Sequence, residues 1–199
     1  MEEIPAAVVM KLRNKTGLSM MECKKALVQA GGDSEKAEDI LRKAMKGKLD
    51  SKADKPAGEG RVAVALGKGS ASIVELRANT DFTARNETFI KAVQQVAEFG
   101  LTQPAGPFVL SGPVAAMIDE LRAQTGETIA LARGMHIPGG PGISFGQYVH
   151  HDGKTGALIK VEGEIANEQV RQIGMHIVAA VPTPKGVTAQ DIPADIVEK

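Results

Sequence analysis

Aromatic residues and cysteine are scarce in this chain of 199 residues. It contains no tryptophan, one tyrosine, five phenylalanines and a single cysteine, Cys23. One cysteine cannot form a disulfide within the chain and cannot supply a multi-cysteine zinc site. The hydrophobic residues, 43% of the chain, are therefore mostly valine, isoleucine, leucine, methionine and alanine. In such a composition, an aromatic side chain within a polar stretch stands out.

The sequence also lacks net charge and long apolar runs. Lysine plus arginine number 24, as do aspartate plus glutamate. Binding nucleic acid without regard to its sequence requires a basic surface, so we expect no direct nucleic-acid partner. The first residues, MEEIPAAVVMKLRNKTG, are acidic where a secretory signal is basic, and no apolar window is long enough to span a membrane. We therefore expect a cytoplasmic protein without a membrane partner.

The pattern of residues 1–46 predicts three short helices that form an N-terminal domain. Apolar residues recur there at helical spacing. Ser19 and Glu22 have the spacing of a capping box, and Gly31-Gly32 would stop the second helix. Residues 47–60 are polar and punctuated by glycine and proline, which predicts a linker.

The remainder contains a weak internal repeat of a strand–turn–strand–helix unit. The copies lie in two predicted core subdomains, at 61–110 and 111–199, and each helix opens with Asn-Glu, at Asn86 and Asn167. A further helix, capped by Ser111, lies between them. The residues predicted to face inward are Phe89, Val93, Val96 and Ala97 in the first repeat helix, and Val170, Ile173 and Ile177 in the second. The predicted class is α+β, with antiparallel sheets and helices packed on one face.

The two copies differ in the segment that joins the second strand to the helix. The first copy uses nine residues, 77–85, and the second only five, 162–166. Because five residues suffice for the connection, the four extra residues are not needed to turn the chain. We predict that the longer segment is a loop carrying Thr80, Asp81 and Phe82. A phenylalanine in a loop needs burial, either in its own core or in that of a partner, and both alternatives stay open.

Two other strings resemble catalytic or ligand-binding motifs. Residues 137–142 (IPGGPG) are glycine-rich but lack the Gly-x-x-x-x-Gly-Lys-Ser/Thr pattern of a phosphate loop. Residues 142–146 match a nucleophile elbow around Ser144, but a strand is predicted to follow where that motif needs a helix. Neighbouring His150 and His151 would point to opposite faces of a strand. We therefore predict no catalytic residue, metal site or cofactor; a hydrolase using Ser144 with either histidine is the alternative.

Two ordered signatures stand out, LRNKTGLSMMECKKAL at 12–27 and ELRANTDFTARN at 75–86. Together with the tail at 175–194, they resemble the translation elongation factor Ts family. The chain is similar to a short form of that family without the C-terminal coiled-coil extension. Its N-terminal domain also resembles a ubiquitin-associated module, so a ubiquitin-binding adaptor is a second alternative.

The resemblance implies a guanine nucleotide exchange factor, not an enzyme, that promotes GDP release from elongation factor Tu. The factor would bind this partner in its GDP-bound and nucleotide-free states. By resemblance, the segment at Asp81 and Phe82 inserts near the partner's Mg²⁺ and phosphate site, and His150 contacts a second domain of the partner. The implied partner-binding residues are Thr80, Asp81, Phe82, Thr83, Leu12, Met20, Met21 and His150.

Overall fold

The computed structural model describes residues 4–50, 57–110, 112–192 and 196. It has the predicted α+β class, with three N-terminal helices followed by antiparallel strands and helices. The elements in chain order are α1 (Ala6–Thr16), α2 (Met20–Gln29), α3 (Ser34–Asp50), β1 (Glu59–Gly67), β2 (Ser70–Ala78), α4 (Asp81–Arg85), α5 (Glu87–Gly100), β3 (Gly106–Pro107), α6 (Gly112–Thr125), β4 (Ala130–Pro138), β5 (Ile143–Val149), β6 (Gly156–Glu162), α7 (Asn167–Ala179) and a final 3₁₀ helix (Ala189–Asp191).

The chain divides into two compact units by its internal contacts. Unit 1 comprises Met1–Gly60, Leu76–Ala92 and Val109–Ala132, and unit 2 comprises Arg61–Glu75, Val93–Phe108 and Arg133–Lys199. The subdomains predicted at 61–110 and 111–199 follow the internal repeat, which is a different criterion. The division into those two subdomains stays a prediction.

The boundaries of the first helices follow local sequence signals. α1 ends at Gly17, whose backbone N–H donates to the carbonyl oxygen of Arg13 at 2.7 Å. The φ angle of Gly17 is 70°, a left-handed conformation that glycine adopts at little cost. The predicted capping box of α2 is confirmed: Ser19 accepts from the backbone N–H of Glu22, and the Glu22 carboxylate accepts from the backbone N–H of Ser19.

One hydrophobic cluster holds these three helices together. Its buried members are Val9, Leu12, Leu18, Cys23, Ala26, Leu27, Ala37 and Leu41. Complete burial of a leucine-sized side chain stabilises a fold by about 1.5–3 kcal/mol, so the cluster is the main source of stability in the bundle. Cys23 belongs to it, as expected of a small core residue.

The predicted linker at 47–60 begins too early. Helix α3 continues to Asp50, so the first four of those residues are helical. A polar stretch with lysine and leucine can continue a helix, because one glycine costs only about 1 kcal/mol there. β1 already begins at Glu59, and residues 51–56 lie outside the described part of the chain.

The strands form two sheets. The larger has the order β1-β2-β4-β3, and β5 pairs with β6 in a separate antiparallel hairpin. The register of that hairpin aligns Ile143 with Glu162 and Val149 with Gly156. β5 begins at Ile143, so the segment with the nucleophile-elbow string is itself part of a strand.

Helix α7 packs on the β5–β6 hairpin through glycines. A Cβ atom added at Gly174 would lie 2.9 Å from the Cβ of Tyr148, and one at Gly146 would clash with Val170. The prediction that Ile173 faces inward is wrong, since this side chain is 45% exposed. Val170 and Gly174 define the buried stripe, and Ile173 lies about 100° around the helix from Gly174.

The helix of the first repeat matches its predicted inner face, and the helix between the repeats buries a stripe of its own. The buried residues are Phe89, Val93, Val96 and Ala97 of α5, and Val114, Ile118 and Leu121 of α6. The backbone N–H of Gly126 donates to the Arg122 carbonyl and ends α6. The predicted cap Ser111 lies outside the described residues.

Candidate partner-binding surface

The segment predicted as a loop contains a short helix. Residues Asp81–Arg85 form α4, one helical turn and a half in length, directly after β2. Thr80 caps it, because its Oγ1 accepts a hydrogen bond from the backbone N–H of Thr83 at 3.3 Å. Ala84 is buried on the inner side. The sequence predicts the correct segment for these residues. It does not predict the helix, because the capping role of Thr80 was not recognised in it.

Phe82 lies on the outer side of this short helix and is 84% exposed. It is two residues from the buried Ala84, and two residues correspond to about 200° of rotation around a helix. Phe89, on the following helix, is fully buried. The alternative in which Phe82 fills its own core is therefore wrong. An isolated phenylalanine at this exposure leaves a large apolar surface in water.

Asp81 is held on the same turn by a surface ion pair. Its carboxylate lies 3.4 Å from the guanidinium of Arg85, and both side chains are well exposed, at 43% and 74%. Exposed pairs of this kind contribute about 0–1 kcal/mol. The carboxylate of Asp81 can therefore leave Arg85 for a stronger partner at low cost.

Glu127 anchors the start of α4 and was missed by the sequence analysis. Its carboxylate accepts from the backbone N–H groups of Asn79 and Thr80, both at 3.1 Å, and from the Thr80 hydroxyl at 2.6 Å. The Asn79 amide oxygen in turn accepts from the backbone N–H of Thr128 at 2.8 Å. Glu127 lies just past the C-terminal end of α6, where the helix dipole makes a negative charge unfavourable. This unfavourable position was the signal in the sequence that Glu127 has a specific partner.

The predicted contact residues of the N-terminal helices differ in their exposure to solvent. Met20 and Met21, at the start of α2, are 40% and 63% exposed. Flexible, polarisable methionines suit an adaptable contact surface. Leu12, by contrast, is only 3% exposed within the core of the bundle. Its side chain has almost no surface with which to touch a partner, and it packs instead in the hydrophobic cluster of the bundle.

His150 and His151 lie in the turn between β5 and β6, so the prediction that they point to opposite faces of a strand is wrong. The Nδ1 of His150 is 3.2 Å from the hydroxyl of Tyr148, and its ring centroid is 4.2 Å from that of His151. In the same turn, a hydrogen bond from the backbone N–H of Lys154, aided by the nearby histidines, lowers the pKa of Asp152. The turn therefore presents imidazole rings beside a carboxylate that stays charged to low pH.

The predicted contact residues divide between the two units. Thr80 to Thr83 form one continuous surface segment, and they belong to unit 1 together with Met20 and Met21. His150 belongs to unit 2.

Comparison with known proteins gives a consistent family assignment. The family model described as elongation factor TS matches residues 79–199. An elongation factor Ts from Xanthomonas campestris is 39% identical over 99% of this chain and 68% of its own length. Those from Pediococcus pentosaceus and Xanthomonas oryzae are 36% and 38% identical, over 100% and 99% of this chain and 69% and 68% of their own lengths. The chain belongs to the elongation factor Ts family.

Membership of the elongation factor Ts family gives the chain a role in translation elongation. The matched stretch includes the α4 segment, Glu127 and His150, and the curated relatives also align with the N-terminal helices. The three N-terminal helices thus lie in the region shared with the elongation factor Ts relatives, so their presence does not by itself favour an adaptor.

The hydrolase alternative loses its nucleophile. The hydroxyl of Ser144 donates to the carbonyl oxygen of Gly163 at 2.7 Å and accepts from the backbone N–H of Ile165 at 3.2 Å. Its single proton is therefore committed to a backbone carbonyl, in a β-strand rather than on the strained turn of a nucleophile elbow.

Within the described residues, no three His, Cys, Asp or Glu side chains are grouped so as to hold a metal ion. No helix of the described part combines the length and the apolar composition that crossing a membrane requires.

Proposed function

We propose that this chain is a guanine nucleotide exchange factor for elongation factor Tu, and that the short helix α4 is the element that promotes GDP release. The observation that carries the proposal is the 84% exposure of Phe82 on a capped helix. When a partner buries a phenylalanine that is exposed in this way, the free energy of the complex is lowered. Burial of such a side chain contributes about 1.5–3 kcal/mol.

An exchange factor works by preferring one state of its partner. A ligand shifts an equilibrium only through its differential affinity for the two states. If the site for Phe82 opens only when elongation factor Tu has lost its nucleotide, burial of this side chain favours that state. Since about 1.4 kcal/mol corresponds to tenfold, one phenylalanine can change the ratio of the two states by roughly 10- to 100-fold.

Asp81 adds an electrostatic contribution on the same turn. A carboxylate brought near bound phosphate repels it, and one brought near Mg²⁺ competes for the cation that offsets the phosphate charge. Arg85 holds Asp81 in the free protein through an exposed ion pair. This pair is weak enough to be exchanged on binding. Both effects destabilise bound GDP without any covalent step, so the chain is not an enzyme in this proposal.

The remaining contacts supply affinity. The exposed Met20 and Met21 dock on the nucleotide-binding domain of elongation factor Tu, and His150 contacts a second domain. Thr80 and Thr83 hold α4 in shape through the cap. Coupling between two ligands is reciprocal, so excess GTP should displace this factor from its partner.

The test is the rate of release of a fluorescent GDP analogue from purified elongation factor Tu. Phe82→Ala should lower the stimulated rate by about tenfold or more, while the free energy of unfolding changes by less than about 1 kcal/mol. Val109→Ala is the matched control, since it removes an exposed apolar side chain of the same unit and should leave the rate unchanged. Parental release by Phe82→Ala would refute the proposal.

A further inference from the structure

The carboxylate of Glu127 receives three hydrogen-bond donors from the residues just before α4. One oxygen, Oε2, accepts from the backbone N–H groups of Asn79 and Thr80, and the other, Oε1, accepts from the Thr80 hydroxyl. Hydrogen bonds to an ionised acceptor are about twice as strong as neutral ones. The strand end and the helix cap are thus fixed by one side chain from the α6–β4 connection.

The hydroxyl of Thr80 transmits this anchor into α4. A threonine hydroxyl has one proton to donate and two lone pairs with which to accept. The proton lies between Thr80 and Glu127, at a donor–acceptor distance of 2.6 Å. The lone pairs therefore remain for the backbone N–H of Thr83, which donates to Thr80 Oγ1. Glu127 orients the hydroxyl so that it caps the helix carrying Phe82.

The other end of the anchor is rigid. The backbone N–H of Glu127 donates to Thr125 Oγ1 at 3.3 Å, and the Thr125 hydroxyl donates to the carbonyl oxygen of Leu121 at 2.8 Å. Leu121 is buried in the inner face of α6. A continuous path of hydrogen bonds thus joins a packed helix to the cap at Thr80.

Helix α4 depends on such an anchor because it is only five residues long. A helix this short does not persist on its own in water, and the largely exposed Phe82 gains little from packing on its own protein. We infer that Glu127 is a positioning residue for nucleotide exchange, which holds α4 in the conformation that presents Phe82 to elongation factor Tu. This inference rests on the proposed function.

The main experiment compares Glu127→Ala with Glu127→Gln and with the control Glu120→Ala. Glu120 lies on the exposed side of α6, where it bonds to Gln124. Glu127→Ala should lower stimulated GDP release by about fivefold to tenfold, and Glu127→Gln by about twofold. Glutamine keeps one oxygen for the two backbone N–H groups and can donate to Thr80 Oγ1. Glu120→Ala should match the parent, and equal rates for Glu120→Ala and Glu127→Ala would overturn the inference.

A double-mutant cycle separates positioning of Phe82 from a contact of Glu127 itself. If Glu127 acts only through the residues that α4 presents, adding Glu127→Ala to a variant that already carries Asp81→Ala and Phe82→Ala slows GDP release no further. Full additivity of the two losses would overturn the inference. If Phe82→Ala alone leaves the rate unchanged, the proposed function fails, and the exchange of backbone amide hydrogens then decides about Glu127.

Amide hydrogen exchange tests the anchor without the partner. In Glu127→Ala, the amides of Asn79, Thr80 and Thr83 should exchange faster while those of α5 stay protected. Unchanged protection at Thr83 would overturn the inference.

If Glu127→Ala does not fold, Thr80→Val and Thr80→Ser replace it. Valine removes the hydroxyl that joins Glu127 to the cap and should lower stimulated GDP release by about fivefold or more. Serine keeps the hydroxyl and should therefore stimulate release faster than valine. Equal rates for these two variants would overturn the inference as well.

Discussion

The two copies of the strand–turn–strand–helix unit are extended at opposite ends. In the first copy, only Lys68 and Gly69 separate β1 from β2, but residues 77–85 lead to the following helix. In the second copy, residues 150–155 separate β5 from β6, but residues 162–166 suffice to reach α7. The strands and helices carry the common framework, and each added segment carries a candidate contact: Phe82 in the first copy and His150 in the second.

The comparison teaches that framework and contact residues are separable. α5 buries Phe89, Val93, Val96 and Ala97, and α7 packs through Val170 and Gly174. Neither set includes a residue of an added segment. A framework residue should therefore affect stability, whereas an exposed residue of an added segment should affect partner binding and nucleotide release.

Exchanging the connections tests this separation most severely. We expect that replacing residues 77–85 with residues 162–166 reduces stimulated GDP release to the unassisted rate. The reason is that α4, Asp81 and Phe82 all disappear, while the second copy shows that five residues can make the connection. The loss of the bonds to Glu127 and of the buried Ala84 should lower the free energy of unfolding by about 1–3 kcal/mol. Denaturant unfolding and the release assay on one preparation check both results.

If the chain with the exchanged connection folds and still stimulates GDP release, the contact residues are not confined to the added segment. A chain that cannot fold would show instead that α4 belongs to the framework. The matched control is the intact connection carrying Asp81→Ala and Phe82→Ala together, which should fold with parental stability and release GDP as slowly as the exchanged chain.

The two neighbouring phenylalanines sharpen the comparison in stability. Phe89→Ala removes a fully buried ring and should lower the free energy of unfolding by about 3–5 kcal/mol. Phe82→Ala should lower it by less than about 1 kcal/mol. Urea unfolding of both variants, with the slope and the midpoint fitted together, measures the difference. Similar losses for the two variants would mean that Phe82 packs within its own protein in solution.

The turn of the second copy should give the smallest effect. His150→Ala removes a half-buried ring and its hydrogen bond to Tyr148. We expect stimulated release to slow by about twofold to threefold, with the free energy of unfolding changed by about 1 kcal/mol or less. The exposed neighbour provides the control variant His151→Ala. A loss of more than about 2 kcal/mol in the free energy of unfolding, with an unchanged release rate, would place His150 in the framework.

The framework could be predicted from the sequence, because it follows patterns of burial and turn chemistry. The capping box at Ser19 and the inner face around Phe89 depend on residues close in the chain, so local patterns suffice. The end of α3 at Asp50 was missed because a polar segment can be a linker or an exposed helix. The inward assignment of Ile173 failed because a stripe that includes Gly174 shows no apolar side chain to count.

The candidate site was predicted only in part, for a different reason. A difference in length between two repeats drew attention to Thr80, Asp81 and Phe82, and the family resemblance added Met20, Met21 and His150. The exposure of Phe82 and the burial of Leu12 depend on tertiary packing, which a local pattern does not contain. Glu127 is 47 residues from Thr80, and only the fold brings the two together.

The central claim is that Phe82 is buried in elongation factor Tu when GDP is released. The absence of tryptophan from this chain allows a direct measurement with Phe82→Trp and a partner whose own tryptophans have been replaced by phenylalanine. The account predicts red-shifted, quencher-accessible emission from the free factor, and blue-shifted, protected emission in the nucleotide-free complex, whereas Val109→Trp stays accessible in both. Emission from Phe82→Trp that stays accessible in a complex releasing GDP at the parental rate would contradict the account.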